Sequence, residues 1–301
     1  MLQLQKYTWL IDTIRKAGKI SLEEISERWE RNKDLSDYRP LSRATFNRWR
    51  DAISSQFGII ISCQRAGGYL YYIENPEDID DDELKKWMLD SFAVGNLISE
   101  NLSLKERIIV DPVPSARHHL ASLLEAMHDN RSVTITYRGF VNRTSHTFPI
   151  EPYCVKLFDN RWYVLAHNVQ YGDIRIYGLD RIEDLKPGDS TFKLPADFSA
   201  AEYFAPYYGI DTNKNVKVER IVLRAYGDHI SYINSLPLHR SQKLLADNGE
   251  YADFELHLAP TNDFIMCLLQ RGAMVEVLRP ASLRLTMRQW ISEMHDLYKD
   301  N

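Results

Sequence analysis

The stretch NRWYVLAHNVQYGDIRIYGLDRIEDL, residues 160–185, reads as two short β-strands joined by a turn at Tyr171-Gly172-Asp173. Side chains alternate along a strand, so each one-residue step changes face. On the first strand Trp162, Val164 and Ala166 point one way and Arg161, Tyr163 and His167 the other. On the second, Ile174 and Ile176 share a face, while Arg175, Tyr177 and Arg181 fall on the opposite parity. The expectation is a hairpin with one apolar side resting on a core. Its other side gathers guanidinium groups, an imidazole and two phenols. Such a surface suits a phosphorylated or otherwise anionic ligand, because Arg forks match phosphate oxygens and aromatic rings stack on bases. A plainer reading stays open, in which Arg175 and Arg181 pair with Asp173, Asp180 or Glu183 on a solvated hairpin.

Trp162-Tyr163-Val164, followed by Arg175-x-Tyr177-x-Leu179-Asp180-Arg181-Ile182, resembles the core of a WYL domain. Val164 stands where that family has Leu, and Tyr177 where it more often has Phe. The resemblance implies a small Sm-like β-barrel serving as the sensor of a bacterial transcription regulator. It places Tyr163, His167, Arg175, Tyr177 and Arg181 on the ligand surface, with Tyr137 and Arg138 adding polar groups. The segment Gly272-Ala273-Met274-Val275-Glu276-Val277-Leu278-Arg279-Pro280 resembles the C-terminal extension that accompanies such domains.

Composition bounds the rest. A chain of 301 residues, 44% hydrophobic and 26% charged, has room for two or three globular domains. No apolar run approaches membrane-spanning length and the N-terminus lacks a secretory pattern, so a cytoplasmic protein with no membrane partner is expected. Cys63, Cys154 and Cys267 form no CxxC pair, which argues for a reducing compartment and against a zinc ribbon. The net charge of −5 is unevenly spread: residues 1–76 hold 12 Lys/Arg against 9 Asp/Glu, and residues 77–111 hold 4 against 10. A basic head followed by an acidic neck fits a nucleic-acid-binding head.

Within residues 1–76, Leu4, Tyr7, Ile11 and Ile14 recur at helical spacing until Ala17-Gly18-Lys19. Ser21-Leu22-Glu23-Glu24 is a capping box opening a second helix with Ile25 and Trp29 inward. After a polar loop, residues 31–40, Ser42 caps a third helix anchored by Phe46, Trp49 and Ile53. Its other face presents Arg43, Asn47 and Arg50, with Ser42, Thr45 and Arg48 beside it. Arg and Asn read guanine and adenine edges, and Ser, Thr and Arg near a helix start hold phosphates. Two β-prone runs flanking Arg65-Ala66-Gly67-Gly68 complete a winged helix-turn-helix, with Arg65 on the wing.

Residues 77–113 read as an acidic helical linker with an amphipathic stripe of Leu84, Trp87, Met88, Ser91 and Ile98, broken at Asp111-Pro112-Val113-Pro114. Residues 114–187 form the sensor domain. It opens on a helix whose buried side is Leu120, Leu123, Leu124 and Met127, and whose His118-His119 pair sits at the surface. The strands VTITY (133–137) and HTFPIEPYCVKL (146–157) follow, enough with the hairpin to close a small barrel. Residues 188–215 are an aromatic connector with little regular structure. Residues 216–301 run β-α-β-β-α-β-α, the order of a ferredoxin-like sandwich. The fold class is thus α+β and multidomain.

The leading expectation is a ligand-responsive transcription regulator, a homodimer gripping a double-stranded DNA operator under control of a nucleotide or short oligonucleotide. Because some WYL proteins assist RNA-guided defence effectors, the resemblance also implies an alternative: an accessory protein binding single-stranded nucleic acid through the barrel. No GxSxG, P-loop, HExxH, dinucleotide fingerprint or metal-spaced cluster is present, so no catalytic residue, metal or cofactor is expected.

Overall fold

The computed structural model describes residues 2–36, 38–66, 68–100, 102–109, 117–140 and 144–299. Asp37 of the polar loop, Gly67 of the hairpin turn and the break at Asp111-Pro112-Val113-Pro114 lie outside them. The chain divides into two compact units, Met1–Asp111 and Pro112–Asn301.

In the first unit α1 (Leu2–Ala17) ends where Gly18 turns left-handed at φ 69°. A two-residue strand β1 (Ile20–Ser21) leads into α2 (Leu22–Arg31). The capping box is present: Ser21 Oγ accepts from the Glu24 amide at 3.2 Å and Glu24 Oε2 accepts from the Ser21 amide at 3.1 Å. The polar loop holds one further helical turn, α3 (Lys33–Ser36). Next comes α4 (Arg43–Phe57), with Phe46, Trp49 and Ile53 buried as their spacing predicts. Trp49 meets Trp29 edge-to-face at 5.0 Å, and Phe46 meets Tyr71 at 4.6 Å. Strands β2 (Ile61–Gln64) and β3 (Leu70–Ile73) pair antiparallel, and β1 adds to β3. After α5 (Glu77–Asp80), α6 (Glu83–Glu100) packs on α1, where Leu89 and Asn96 are buried and Asn96 Nδ2 donates to Gln5 O at 3.3 Å. The expected stripe is corrected by this contact: Leu84 and Trp87 face outward, because the side turned to α1 is the one through Leu89 and Asn96.

The second unit begins with α7 (Arg117–His128), which covers a five-stranded sheet: β4 (Arg131–Arg138), β5 (Ser145–Phe158), β6 (Arg161–Asn168), β7 (Asp173–Gly178) and β8 (Ile182–Thr191). The strand order is β7-β6-β5-β4-β8, all antiparallel, with a single 3-10 turn, Leu179–Arg181, between β7 and β8. Two expectations about α7 are corrected. His119 is buried, while Leu124 is 47% exposed. Burial, and His118 beside it, hold the His119 pKa below the usual histidine value. Leu123, Val133, Ile135, Phe148, Ile150, Val164, Ala166 and Tyr177 make the core beneath the helix.

The connector is ordered around α8 (Ala200–Phe204). Then come β9 (Glu219–Tyr226), α9 (His229–Ser235), β10 (Lys243–Asp247), β11 (Tyr251–Leu258), α10 (Asn262–Leu269), β12 (Val275–Arg279) and α11 (Ala281–Leu297). This is the β-α-β-β-α-β-α order read from the sequence, with sheet order β10-β11-β9-β12. Ile221, Leu223, Phe254, Leu256, Phe264 and Leu283 form its core. Among the described residues no helix is long and apolar enough to cross a membrane.

Candidate functional site

Directly opposed residues of an antiparallel ladder share a face. The β6–β7 register opposes Val164 to Tyr177, Ala166 to Arg175, His167 to Ile174 and Tyr163 to Gly178. Arg175 and Tyr177 therefore lie on the side of Val164 and Ala166, and Tyr163 and His167 lie on the other with Ile174 and Ile176. The expected single cationic face is corrected: parity within each strand was right, but the two strands were joined on the wrong parity.

Tyr177 is a core residue, 5% exposed, its hydroxyl accepting from Asn168 Nδ2 at 2.7 Å. Burial raises its pKa. Arg175 grips Asp173 with two bonds, Nε to Oδ1 at 2.8 Å and Nη2 to Oδ2 at 3.1 Å, and lies 4.1 Å over the Tyr171 ring. That is the plainer reading of the sequence, realised at this one arginine. His167 Nδ1 meets Glu151 Oε2 at 2.9 Å. It lines a cavity of about 560 Å³ with Tyr153, Ile174, Tyr203, Thr212 and Lys214.

Arg181 behaves differently. Its guanidinium lies 4.7 Å from the Phe140 ring centre and 5.4 Å from that of Tyr137, within cation–π reach of both. Among the described residues it has no ion pair, and its buried Nε has no hydrogen-bond partner. It lines a cavity of about 600 Å³ with Arg138, Gly139, Phe140, Asp180 and Glu183. The neighbouring carboxylates are engaged elsewhere: Asp180 Oδ2 accepts from Arg161 Nη1 at 3.0 Å, and Glu183 pairs with Arg138 at 3.8 Å. Gly178 makes the arrangement possible, since a Cβ there would sit 2.8 Å from Arg181 Nη2. Tyr163 completes the neighbourhood. Burial raises its pKa, and the charges of Arg161 and Arg181 oppose that rise. Tyr137 accepts from the Gly178 amide at 3.4 Å.

The structure thus gathers Tyr137, Arg138, Tyr163 and Arg181, keeps Tyr177 in the core beneath them against the Tyr137 ring at 5.1 Å, and places His167 and Arg175 elsewhere. Sequence reasoning missed Gly139, Phe140, Asp180 and Glu183 as lining groups, and Gly178 beneath Arg181. Gly178 inside a strand pattern was the available signal.

In the first unit, Arg43, Asn47 and Arg50 follow one another at i, i+4 and i+7 along α4, flanking its buried stripe, with Asn47 and Arg50 half-buried. Arg43 and Arg48 are exposed, and Arg50 donates to Asp51 Oδ1 at 3.0 and 3.2 Å. Ser42 is the N-cap, accepting from the Thr45 amide at 3.2 Å and meeting Thr45 Oγ1 at 2.9 Å. Arg65 is exposed at the end of β2.

The helix-covered five-stranded sheet carries the Trp-Tyr-Val segment on β6 and the Leu-Asp-Arg-Ile segment at the turn between its two edge strands, and residues 118–187 match the family model of the WYL domain. Residues 217–295 match that of the WCX domain, so the chain carries a WYL domain followed by the C-terminal extension typical of WYL-domain regulators. No curated protein matches. Of solved structures, the proteasome accessory factor B/C (PafBC) of Arthrobacter aurescens is similar at 17% identity over 63% of this chain and 29% of its own, with a TM-score of 0.27. A CRISPR Cas-related protein is similar at 12% identity over 97% of this chain and 85% of its own, with a TM-score of 0.38.

Proposed function

We propose that the chain is a DNA-binding transcription regulator governed by a nucleotide or short oligonucleotide. In this reading α1, α2, α4 and the β2–β3 hairpin form a winged helix-turn-helix. Two copies in a dimer bring α4 to the two half-sites of an operator. The strand order of β4–β8 with its 3-10 turn is read as an Sm-like barrel that senses the ligand. The observation that supports the sensing half is Arg181: a guanidinium within reach of two aromatic rings, without an ion pair among the described residues, beside a cavity of about 600 Å³. For DNA it is the Arg43, Asn47 and Arg50 stripe. The ligand acts through its difference in affinity for two dispositions of the heads, and about 1–3 kcal/mol of coupling suffices for regulation.

The test is a gel shift on duplex fragments flanking the gene, with and without nucleotides. Arg43→Ala, Asn47→Ala and Arg50→Ala together should weaken duplex binding by about 100-fold, since each base-edge contact contributes about 1–3 kcal/mol. Unchanged binding would remove α4 from the interface. A preference for single strands over duplex would instead favour an accessory nucleic-acid-binding protein.

The sensor is tested in parallel by nucleotide titration. Arg181→Ala should abolish the nucleotide response, whereas Arg175→Ala, whose guanidinium is already held by Asp173, should leave it within about twofold. Equal losses in the two variants would remove the Arg181 cavity as the nucleotide site.

A further inference from the structure

A cavity of about 530 Å³ is lined by β12 and α11 of the C-terminal extension, and none of its residues belongs to the DNA-binding or sensing sites above. Its apolar lining is Val275 and Val277 of β12, Met287 of α11, all buried, and Ile291, one turn beyond Met287 and 53% exposed.

The polar groups on the same wall are paired with one another, save one. Tyr226 Oη donates to Glu276 Oε2 at 2.7 Å. Arg284 Nη1 donates to Glu276 Oε1 and to the Val277 carbonyl, each at 2.6 Å. Both Glu276 oxygens are thus engaged, and the Tyr226 and Arg284 bonds hold its pKa below the usual glutamate value. Arg288 follows Arg284 at i+4 on α11, lines the cavity, is exposed, and has no hydrogen bond or ion pair among the described residues. Like charges four residues apart on a helix repel, and Glu276 offsets only one of the two guanidinium groups. The wall therefore carries one cation in excess beside an apolar floor.

That combination suits a molecule with one anionic head and an apolar body. A nucleotide or sugar phosphate would set hydroxyls and ring nitrogens against Val275, Val277 and Met287, whose side chains offer no partner. A bare inorganic anion would leave the floor in water. A carboxylate matches the guanidinium fork, and an alkyl chain fills a cleft walled by Val, Met and Ile side chains. We infer that this cavity binds a medium-chain aliphatic carboxylate, its head on Arg288 and its chain over Val275, Met287 and Ile291. The inference is independent of the nucleotide-sensor reading and gives the extension a ligand of its own.

The test is a methyl NMR titration of the full chain labelled at its methionines, with Met287→Leu assigning the Met287 signal. Octanoate should move that signal saturably, octanol should bind at least about tenfold more weakly, and octylamine and acetate should leave the signal in place. Arg288→Gln should lower octanoate affinity to that of octanol without changing octanol. Ile291→Glu, which sets a competing carboxylate one turn from Arg288, should abolish octanoate binding. Both side chains are exposed, so thermal melts of the two variants should match the wild type. Octanol binding as tightly as octanoate, or full octanoate affinity in Arg288→Gln, overturns the carboxylate assignment. A Met287 signal that octanoate does not move overturns the site.

Discussion

Phe46→Ala should unfold the amino-terminal unit, costing about 3–5 kcal/mol, while Asn47→Ala next to it should change stability by less than about 0.5 kcal/mol. Phe46 is fully buried and sits edge-to-face on Tyr71 of the β2–β3 hairpin at 4.6 Å. It therefore ties α4 to that hairpin as well as to the helices. Trp49 is fixed by Trp29 and Tyr7, and Ile53 is fully buried, so the surroundings have little freedom to collapse into the space left behind. A single domain has about 5–15 kcal/mol in all, so this one truncation removes a large fraction of it. Hydrogen exchange followed by mass spectrometry on the full chain reads the result. Protection should fall across α1, α2, α4 and β3 in Phe46→Ala, and persist in the β4–β8 sheet. Retention of protection in α4 would mean that the helix is held by something other than this cluster.

What could be read in advance depended on how local its cause is. The Ser21–Glu24 box, the Phe46, Trp49 and Ile53 stripe and the strand–helix alternation after residue 216 are set by spacings within a few residues, and the structure has them. Strand β8 was not legible, because Ile182–Thr191 contains Pro187 and Gly188 and no alternation. It can be a strand because it is the edge next to β4, where Pro187 opposes Val133 and Gly188 passes so close to Ser132 that a Cβ would sit 2.7 Å from its carbonyl oxygen. Burial of His119 was hidden because neighbours on a helix differ in face by only about 100°. The candidate site failed for a different reason. Parity inside β6 and inside β7 says nothing about which residues stand opposite, and a shift of one residue carries a whole strand's side chains across the sheet. Val164-Leu165-Ala166 was the clue, three apolar residues running without a polar break, all buried. A strand covered on both faces cannot present one of them as an open cationic surface. The cavity beside Arg181 joins Gly139-Phe140 to Asp180-Arg181, about forty residues apart, and no local pattern could announce it.

Gly209→Ala should destabilise the second unit by about 3 kcal/mol or more and move the titration of Lys156. Three parts of that unit meet at this glycine. Lys156 Nζ of β5 donates to the Gly209 carbonyl at 2.7 Å, and Asp263 Oδ2 of α10 accepts from the amides of Ile210 and Asp211 at 2.7 Å each. Asp211 in turn accepts from the Asn262 amide at 3.2 Å. A Cβ at position 209 would lie 2.7 Å from Phe158 Cζ and 2.9 Å from Asp263 Cβ, and would overlap Asp263 Oδ2. Phe158 cannot swing clear, since its ring packs against Tyr208 at 5.7 Å and Tyr208 against Phe264 at 5.8 Å. Overpacking costs about 1–3 kcal/mol, and each amide left without Asp263 costs about 1–3 kcal/mol more. The Lys156 ammonium reports on the same joint. Burial pushes its pKa down to about 8 from an ordinary 10.5, and the Asp263 charge opposes that fall. Between those two values the unfolded chain binds more protons than the folded one, so the contribution of Lys156 to stability rises with pH from about 8 to 10.5. Displacing the Asp263 carboxylate removes the opposing charge, so in Gly209→Ala the lower end of that window should slide below 8. Urea unfolding across pH 7 to 11, with Lys156→Met as the control that flattens the window, measures both effects. A Gly209→Ala variant with wild-type stability and an unmoved pH window would show that the connector is not held at this point.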